Sequence, residues 1–181
     1  QISARAPRIA QERYYLFRYA VTRIPLRSDR PGIRALSSME VTHLSAGSFY
    51  SISGAMGALE DQLNAVAGSY QPLMLLGEAG TAKEQIARAV YLRSPRTRSP
   101  FVTVDCTVAG DREWDFLFDH YASPLNEREG TVFFRHAEEM PDHSCSRLLA
   151  ITMETNLVKR IRLIFSYDWT EEEVMPDKAR R

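Results

Sequence analysis

The sequence predicts an α/β fold with a mostly parallel sheet. Short, continuous apolar runs recur at residues 72–76, 101–104, 131–134 and 161–166, and such runs are typical of strands that are buried on both faces. Helical patterns separate the runs, and parallel strands need such crossover connections. A small-residue loop also joins the first run to a helix start, at residues 77–83.

The N-terminal segment predicts a helix and a linker before the first of these strands. Residues 7–24 place apolar side chains at spacings of three, four and seven, and Pro25 ends the pattern. Residues 27–32 (RSDRPG) predict a turn or linker. Small polar and β-branched residues that follow allow one short strand within 41–52.

The central segment predicts a helix at residues 55–67, ended by Gly68, and then the strand at 72–76. A further helix is predicted from about residue 83 to residue 93, directly after the loop.

The C-terminal half continues the alternation. Helices are predicted at residues 111–120 and 143–158, between the later strands, and the charged tail from Asp168 is expected to fray. No internal repeat interrupts this order.

The loop after the first strand has the composition of a phosphate-binding loop. Small residues let backbone N–H groups face inward, a helix N-terminus adds positive potential, and a lysine reaches the outer phosphates. Only three of the 23 basic residues are lysines, which makes a lysine here conspicuous. The predicted binding residues are Gly77, Glu78, Ala79, Gly80, Thr81, Ala82, Lys83 and Glu84.

Composition constrains compartment and partners. The net charge is zero, but arginines concentrate in residues 1–34 and acids in residues 105–142. We expect this basic arm, residues 1–34, to be solvated or to mediate self-association rather than to bind nucleic acid. The sequence lacks a signal peptide and a membrane-length apolar run, and it has two cysteines, so we expect a cytoplasmic protein without membrane contact.

An ordered set of motifs from about Ser51 to Trp169 resembles the central AAA+ ATPase domain of bacterial sigma-54-dependent transcription activators, the enhancer-binding proteins. The family loop GESGTGKE stands here as GEAGTAKE at residues 77–84. Further similar segments are SPR at 94–96, PFVTVDC at 100–106, LFDH at 117–120, EGTVFF at 129–134, EMP at 139–141 and IRLI at 161–164. The resemblance implies a reduced AAA+ αβα core with a basic helical arm in front, and ATP or ADP as the nucleotide if the loop still binds one.

Departures from the family pattern predict that ATP is not hydrolysed. The resemblance implies an Asp-Glu pair for magnesium and water after the strand at 131–134, and this sequence has Arg135 and His136 there. An arginine cannot hold a cation, and each lost electrostatic stabiliser typically costs about 10²–10³ in rate. A new phosphotransferase that uses His136 as a base ranks last among the hypotheses.

Other family parts are missing or altered. Residues 121–129 are too few for the sigma-factor contact loop, and the sensor Asn appears as Asp168 or is displaced. The chain also ends before the family's arginine fingers, fifth core strand and lid, so we expect a truncated relative. No metal site is predicted, because His120, His136, His143 and Cys145 lack zinc-ligand spacing.

These observations predict a basic arm and linker at residues 1–44, a core at 45–170 and a charged tail at 171–181. The predicted function is a pseudo-ATPase module that regulates transcription through protein contacts. The alternative is an interaction or oligomerisation scaffold whose loop is vestigial. Since the fifth strand is absent, strand 72–76 should form an open edge that residues 41–52, the arm or a second copy of the chain covers.

Overall fold

The computed structural model describes residues 30–45 and 54–169, with the side chains of residues 54–60 left undescribed. Five strands alternate with six helices in this part of the chain. The elements are β1 (Ile33–Leu36), α1 (Ser38–Ser45), α2 (Gly54–Ala67), β2 (Leu73–Gly77), α3 (Lys83–Arg93), β3 (Phe101–Asp105), α4 (Asp111–Asp119), β4 (Gly130–Arg135), α5 (Asp142–Glu154), α6 (Leu157–Arg160) and β5 (Ile161–Asp168). Short 3-10 helices occur at Pro124–Asn126 and Ala137–Glu139.

The strands form one five-stranded sheet in the order β1-β3-β4-β5-β2. Strands β3, β4, β5 and β2 are parallel, and β1 pairs with β3 in the antiparallel sense. All four predicted strands are present and extend one or two residues further at the carboxyl end. The predicted α/β fold with a mostly parallel sheet is therefore confirmed.

Two apolar cores, one on each face of the sheet, hold the helices. Alternate strand residues point to opposite faces, so Val132 and Phe134 join one core while Phe133 joins the other. The first core packs β3, β4 and β5 against α4 and α5, and the second packs them against α1, α2 and α3. The result is a three-layered αβα arrangement.

The strand predicted within residues 41–52 is wrong for residues 41–45, which belong to helix α1. A reciprocal capping box starts this helix: Ser37 N–H donates to Glu40 Oε2 at 2.8 Å, and Glu40 N–H donates to Ser37 Oγ at 3.3 Å. Residues 46–52 lie outside the described residues.

Strand β1 is an element that the sequence analysis missed. It pairs with β3 from Ile33 opposite Val104 to Leu36 opposite Phe101. Residues 33–44, predicted as part of the arm and linker, therefore contribute to the sheet and to the helical layer on it. The division into arm, core and tail stays a prediction, because residues 1–29 and 170–181, including the predicted 7–24 helix, lie outside the described residues.

The helix predicted at residues 143–158 is interrupted. Helix α5 ends at Glu154, and Asn156 then adopts the left-handed conformation (φ 52°) before α6 begins. Asparagine tolerates this region better than most residues, so the chain turns here and enters β5 directly from α6. The predicted helices at 55–67, 83–93 and 111–120 are confirmed.

Within residues 30–45 and 54–169, strand β2 is an edge strand, as predicted. Its one strand partner there is β5, and Met74 and Leu76, on the face of β2 opposite to Leu73 and Leu75, are 56% and 64% exposed. Residues 41–45 do not cover it, since α1 packs on α3 and β1. Whether the arm or a second copy covers this edge stays a prediction.

A buried arginine links the sheet to α2. Arg162 on β5 is 1% exposed, and its guanidinium donates to the carbonyl oxygens of Ala67 at 3.0 Å and Val66 at 2.8 Å. Carbonyl groups in the last turn of a helix have no hydrogen-bond donor within that helix. The carbonyls of Val66 and Ala67 belong to the last turn of α2. None of the helices in the described part is long and apolar enough to span a bilayer.

Candidate functional site

The loop between β2 and α3 is a tight turn at the carboxyl edge of the sheet. Gly80 has a φ of 80°, in the region that glycine adopts without strain. Thr81 N–H donates to Glu78 O at 3.3 Å, and Thr81 Oγ donates to the same oxygen at 2.7 Å. A Cβ on Gly77 would lie 2.8 Å from Thr81 Oγ, so the turn closes against this glycine.

Ala82 occupies the position where the resembled family has glycine, and its backbone is left-handed, with a φ of 59°. This conformation costs a residue with a Cβ about 1–2 kcal/mol. Ala82 is also the N-cap of α3 and supplies no side-chain cap. The first N–H groups of α3 therefore have no side-chain acceptor at the cap and can face an anion.

Lys83 is turned into the loop and is 8% exposed. Its Nζ donates to Gly77 O at 2.9 Å, to Glu78 O at 2.6 Å and to Thr81 Oγ at 3.0 Å. An ammonium group has three N–H donors, so the loop's own oxygens satisfy it. The lysine is present and well placed, but a phosphate must compete with these contacts.

Asp168, the last residue of β5, adds a fourth contact to this lysine. The register of β2 and β5 places it opposite Gly77, and its Oδ1 lies 2.7 Å from Lys83 Nζ. Asp168, one of the two alternatives predicted for the sensor position, thus places a carboxylate against the lysine and offsets its charge.

Arg135, the last residue of β4, lies beside two acidic side chains. Its Nη1 lies 3.7 Å from Glu84 Oε2 and 3.6 Å from Asp105 Oδ2, and the side chain is 43% exposed. Pairs this long and this exposed stabilise the fold little. Their effect is on the site: a guanidinium stands where the resemblance implies a magnesium-orienting acid.

His136 follows in a left-handed conformation, with a φ of 54°. Its N–H donates to Ser166 Oγ at 3.1 Å, which fixes the residue against β5. The ring Nδ1 lies 3.3 Å from Glu138 Oε1 and 3.4 Å from Asp168 Oδ2. The imidazole is thus directed at two carboxylates.

These groups surround an open cavity of about 280 Å³ at the carboxyl edge of the sheet. The second half of the predicted binding loop lines the cavity, and so do Arg135 and His136. Gly77, Glu78 and Ala79, which were also predicted to bind, are not in its lining. The lining residues are Gly80, Thr81, Ala82, Lys83, Glu84, Gln85, Arg88, Arg135, His136, Ser166 and Asp168.

Several of these residues were missed as site residues from the sequence. Gln85 and Arg88 could have been found, because they follow Lys83 on the first turns of the same helix. Ser166 and the nearby Glu138 could not, since their approach to the loop depends on the register of β5 with its neighbours.

Fold and loop together are similar to those of P-loop NTPase domains, with the loop between an edge strand and a helix. Within that class, the resemblance to sigma-54-dependent activators is confirmed, since residues 49–114 match the model of the Sigma-54 interaction domain. The chain is also 41% identical over 115 residues to a Nif-specific regulatory protein of Rhodobacter capsulatus, an alignment that covers 56% of this chain and 20% of that relative.

Solved structures support the same fold. NtrX from Brucella abortus in complex with ADP aligns with a TM-score of 0.60 and 23% identity, over 91% of this chain and 38% of that one. The P-loop NTPase domain of the Sigma-54 transport activator from E. coli aligns with a TM-score of 0.51 and 19% identity, over 69% of this chain and 82% of that one. The chain spans about a fifth of the length of the curated relatives that it matches.

Proposed function

We propose that this chain is a regulatory module of sigma-54-dependent transcription that does not hydrolyse ATP and acts through protein contacts. The observation that carries the proposal is the end of β4. Arg135 and His136 occupy the strand end that faces the loop, and the guanidinium lies within 3.7 Å of the carboxylates of Glu84 and Asp105. A magnesium ion there would meet a positive charge that is already paired with the nearest acids.

The contacts of Lys83 in the loop are a second, independent argument against ATP hydrolysis. Phosphoryl transfer depends on preorganised positive charge at the transferred group. Here the Lys83 ammonium group already has loop oxygens and Asp168 within 3.0 Å. Binding of a nucleotide must break some of these contacts before any stabilisation of the transition state begins.

A phosphate-release assay with excess ATP and magnesium tests the proposal. We expect the wild-type chain and the Lys83→Ala variant to give the same rate as buffer. Magnesium-dependent phosphate release that is lost in Lys83→Ala would overturn the proposal.

The relatives favour transcription regulation as the context. The Rhodobacter capsulatus protein is a Nif-specific regulatory protein, and the Escherichia coli relative HyfR is a DNA-binding transcriptional activator, 29% identical over 135 residues. The partner that we propose is a second copy of this chain or another protein of the transcription apparatus. The edge of β2, with Met74 and Leu76 exposed in the described part of the chain, offers backbone groups and apolar area for such a contact.

A scaffold with a vestigial loop is the second candidate, favoured by the self-satisfied Lys83. Calorimetry with ADP and ATP separates the two. Heat of binding that disappears in Lys83→Ala supports a nucleotide-sensing regulator. No heat from the wild-type chain at millimolar nucleotide supports the scaffold.

A further inference from the structure

Three metal-ligating side chains converge beside the loop, in a cluster that the sequence spacing of histidines and cysteines did not predict. His136, Glu138 and Asp168 place a ring nitrogen and two carboxylate oxygens within 4.8 Å of one another. They come from the residue after β4, the short 3-10 helix that follows it and the last residue of β5.

The two distances from the imidazole to the carboxylates fit a tetrahedral coordination sphere. Zinc binds nitrogen and oxygen ligands at about 2.0–2.1 Å, so two ligand atoms of a tetrahedral zinc ion lie about 3.3–3.4 Å apart. His136 Nδ1 lies 3.3 Å from Glu138 Oε1 and 3.4 Å from Asp168 Oδ2. Hydrogen bonding explains the pair of distances less well, because one Nδ1 can be shared with only one oxygen at good geometry and N–H···O distances centre near 2.9 Å.

Backbone contacts hold the three ligands in place. Glu138 Oε2, the oxygen that does not face His136, accepts the N–H of Asp168 at 3.1 Å. The N–H of His136 donates to Ser166 Oγ at 3.1 Å. Glu138 and Asp168 thus hold each other, and contacts from outside the cluster fix the backbone of His136 at Ser166 and the carboxylate of Asp168 at Lys83.

Charge and access also suit a divalent cation. Two carboxylates and an imidazole carry up to two negative charges, and the side chains are partly exposed, at 26%, 19% and 23%. Asp168 directs its Oδ2 towards the cluster and its Oδ1 towards Lys83. The lysine therefore offsets one negative charge without occupying the site. The mixed nitrogen and oxygen set favours zinc over magnesium, which prefers oxygen ligands and octahedral geometry.

We propose that His136 Nδ1, Glu138 Oε1 and Asp168 Oδ2 form a zinc-binding site with a fourth position open to water. The ion ties the segment after β4 to the end of β5 and fixes the carboxylate that faces Lys83. This site does not depend on nucleotide binding or on the absence of hydrolysis.

Calorimetric titration of zinc chloride into the EDTA-treated and desalted chain, without nucleotide, tests the proposal. We expect one zinc ion per chain, with affinity reduced at least tenfold in His136→Asn and in Glu138→Gln. The matched control is His143→Asn, which removes an exposed histidine from α5 and should leave the affinity unchanged. Circular dichroism establishes that each variant is folded.

Cobalt substitution provides a second measurement. Cobalt(II) bound to the wild-type chain should give the strong visible absorption of a tetrahedral site, and His136→Asn should abolish it. Absence of zinc binding to the wild-type chain would overturn the proposal. So would binding that survives in both His136→Asn and Glu138→Gln, or that is lost in His143→Asn.

Discussion

Replacing Asp168 with asparagine should increase the affinity of the loop for ADP. The Asp168 carboxylate lies 2.7 Å from Lys83 Nζ at the end of β5. An asparagine of nearly the same shape still accepts a hydrogen bond from the lysine, but it removes the negative charge. The charge of Lys83 is then no longer offset by a carboxylate, and the repulsion between Asp168 and phosphate oxygens disappears.

The size of the effect follows from the charge and its exposure. Two unit charges about 4 Å apart interact by about 4 kcal/mol at an effective dielectric constant of about 20. The Asp168 side chain is 23% exposed and borders an open cavity, so solvent and salt reduce this value, to about a third by our estimate. The remaining ~1.4 kcal/mol corresponds to an approximately tenfold lower Kd for ADP.

Fluorescence anisotropy of a labelled ADP measures the change, at fixed salt and with EDTA present so that metal binding does not contribute. Asp115→Asn is the matched control, because Asp115 is an exposed acid on α4, on the opposite face of the sheet from α3. An affinity in Asp168→Asn that equals or falls below that of the wild-type chain would refute the masking of Lys83 by Asp168.

Three further predictions concern stability and thiol chemistry. Arg162→Met should lower the free energy of unfolding in urea by about 2–4 kcal/mol, because two carbonyls of α2 lose a buried donor; a loss below about 0.5 kcal/mol would contradict this role. Gly77→Ala should lower the free energy of unfolding by about 1–2 kcal/mol in the same assay, because the new Cβ would lie 2.8 Å from Thr81 Oγ. Gly68→Ala serves as the control, since a Cβ there meets nothing within 4 Å. Burial, with the nearby carboxylates of Asp105 and Glu138, raises the pKa of the Cys106 thiol from 9.0 to about 12. The unfolded chain therefore releases this proton first, and stability should fall as pH rises above about 9, less steeply in Cys106→Ala; equal slopes in urea unfolding between pH 8 and 10.5 would contradict this.

The layered fold could be predicted because local patterns determine it. Each central strand is a continuous apolar run that is buried on both faces, and each crossover helix repeats its apolar residues at helical spacing. Strand β1 was missed for the opposite reason. It is short and contains Arg34, and its conformation is decided by pairing with β3, about 70 residues further along the chain. The start of α1 was visible as the Ser37–Glu40 capping box, a signal that the strand prediction for 41–52 overlooked.

The candidate site was predictable only in part. The glycines and lysine of the loop are contiguous in the sequence, and the strand end at Arg135 and His136 follows from the apolar run before it. The contacts of Asp168 with Lys83 and His136 depend on the registers of β5 with β2 and β4, which no local pattern specifies. The sequence therefore indicated which positions had changed, but not that an acid neutralises the loop lysine.

A single-turnover experiment tests the absence of ATP hydrolysis most directly. The chain, in excess over radiolabelled ATP with magnesium present, is incubated and quenched over several hours, and released phosphate is separated and counted. We predict the same slow release as in buffer alone, and no difference between the wild-type chain and Lys83→Ala. Release that is faster than in buffer, requires magnesium and is lost in Lys83→Ala would contradict the proposed absence of ATP hydrolysis.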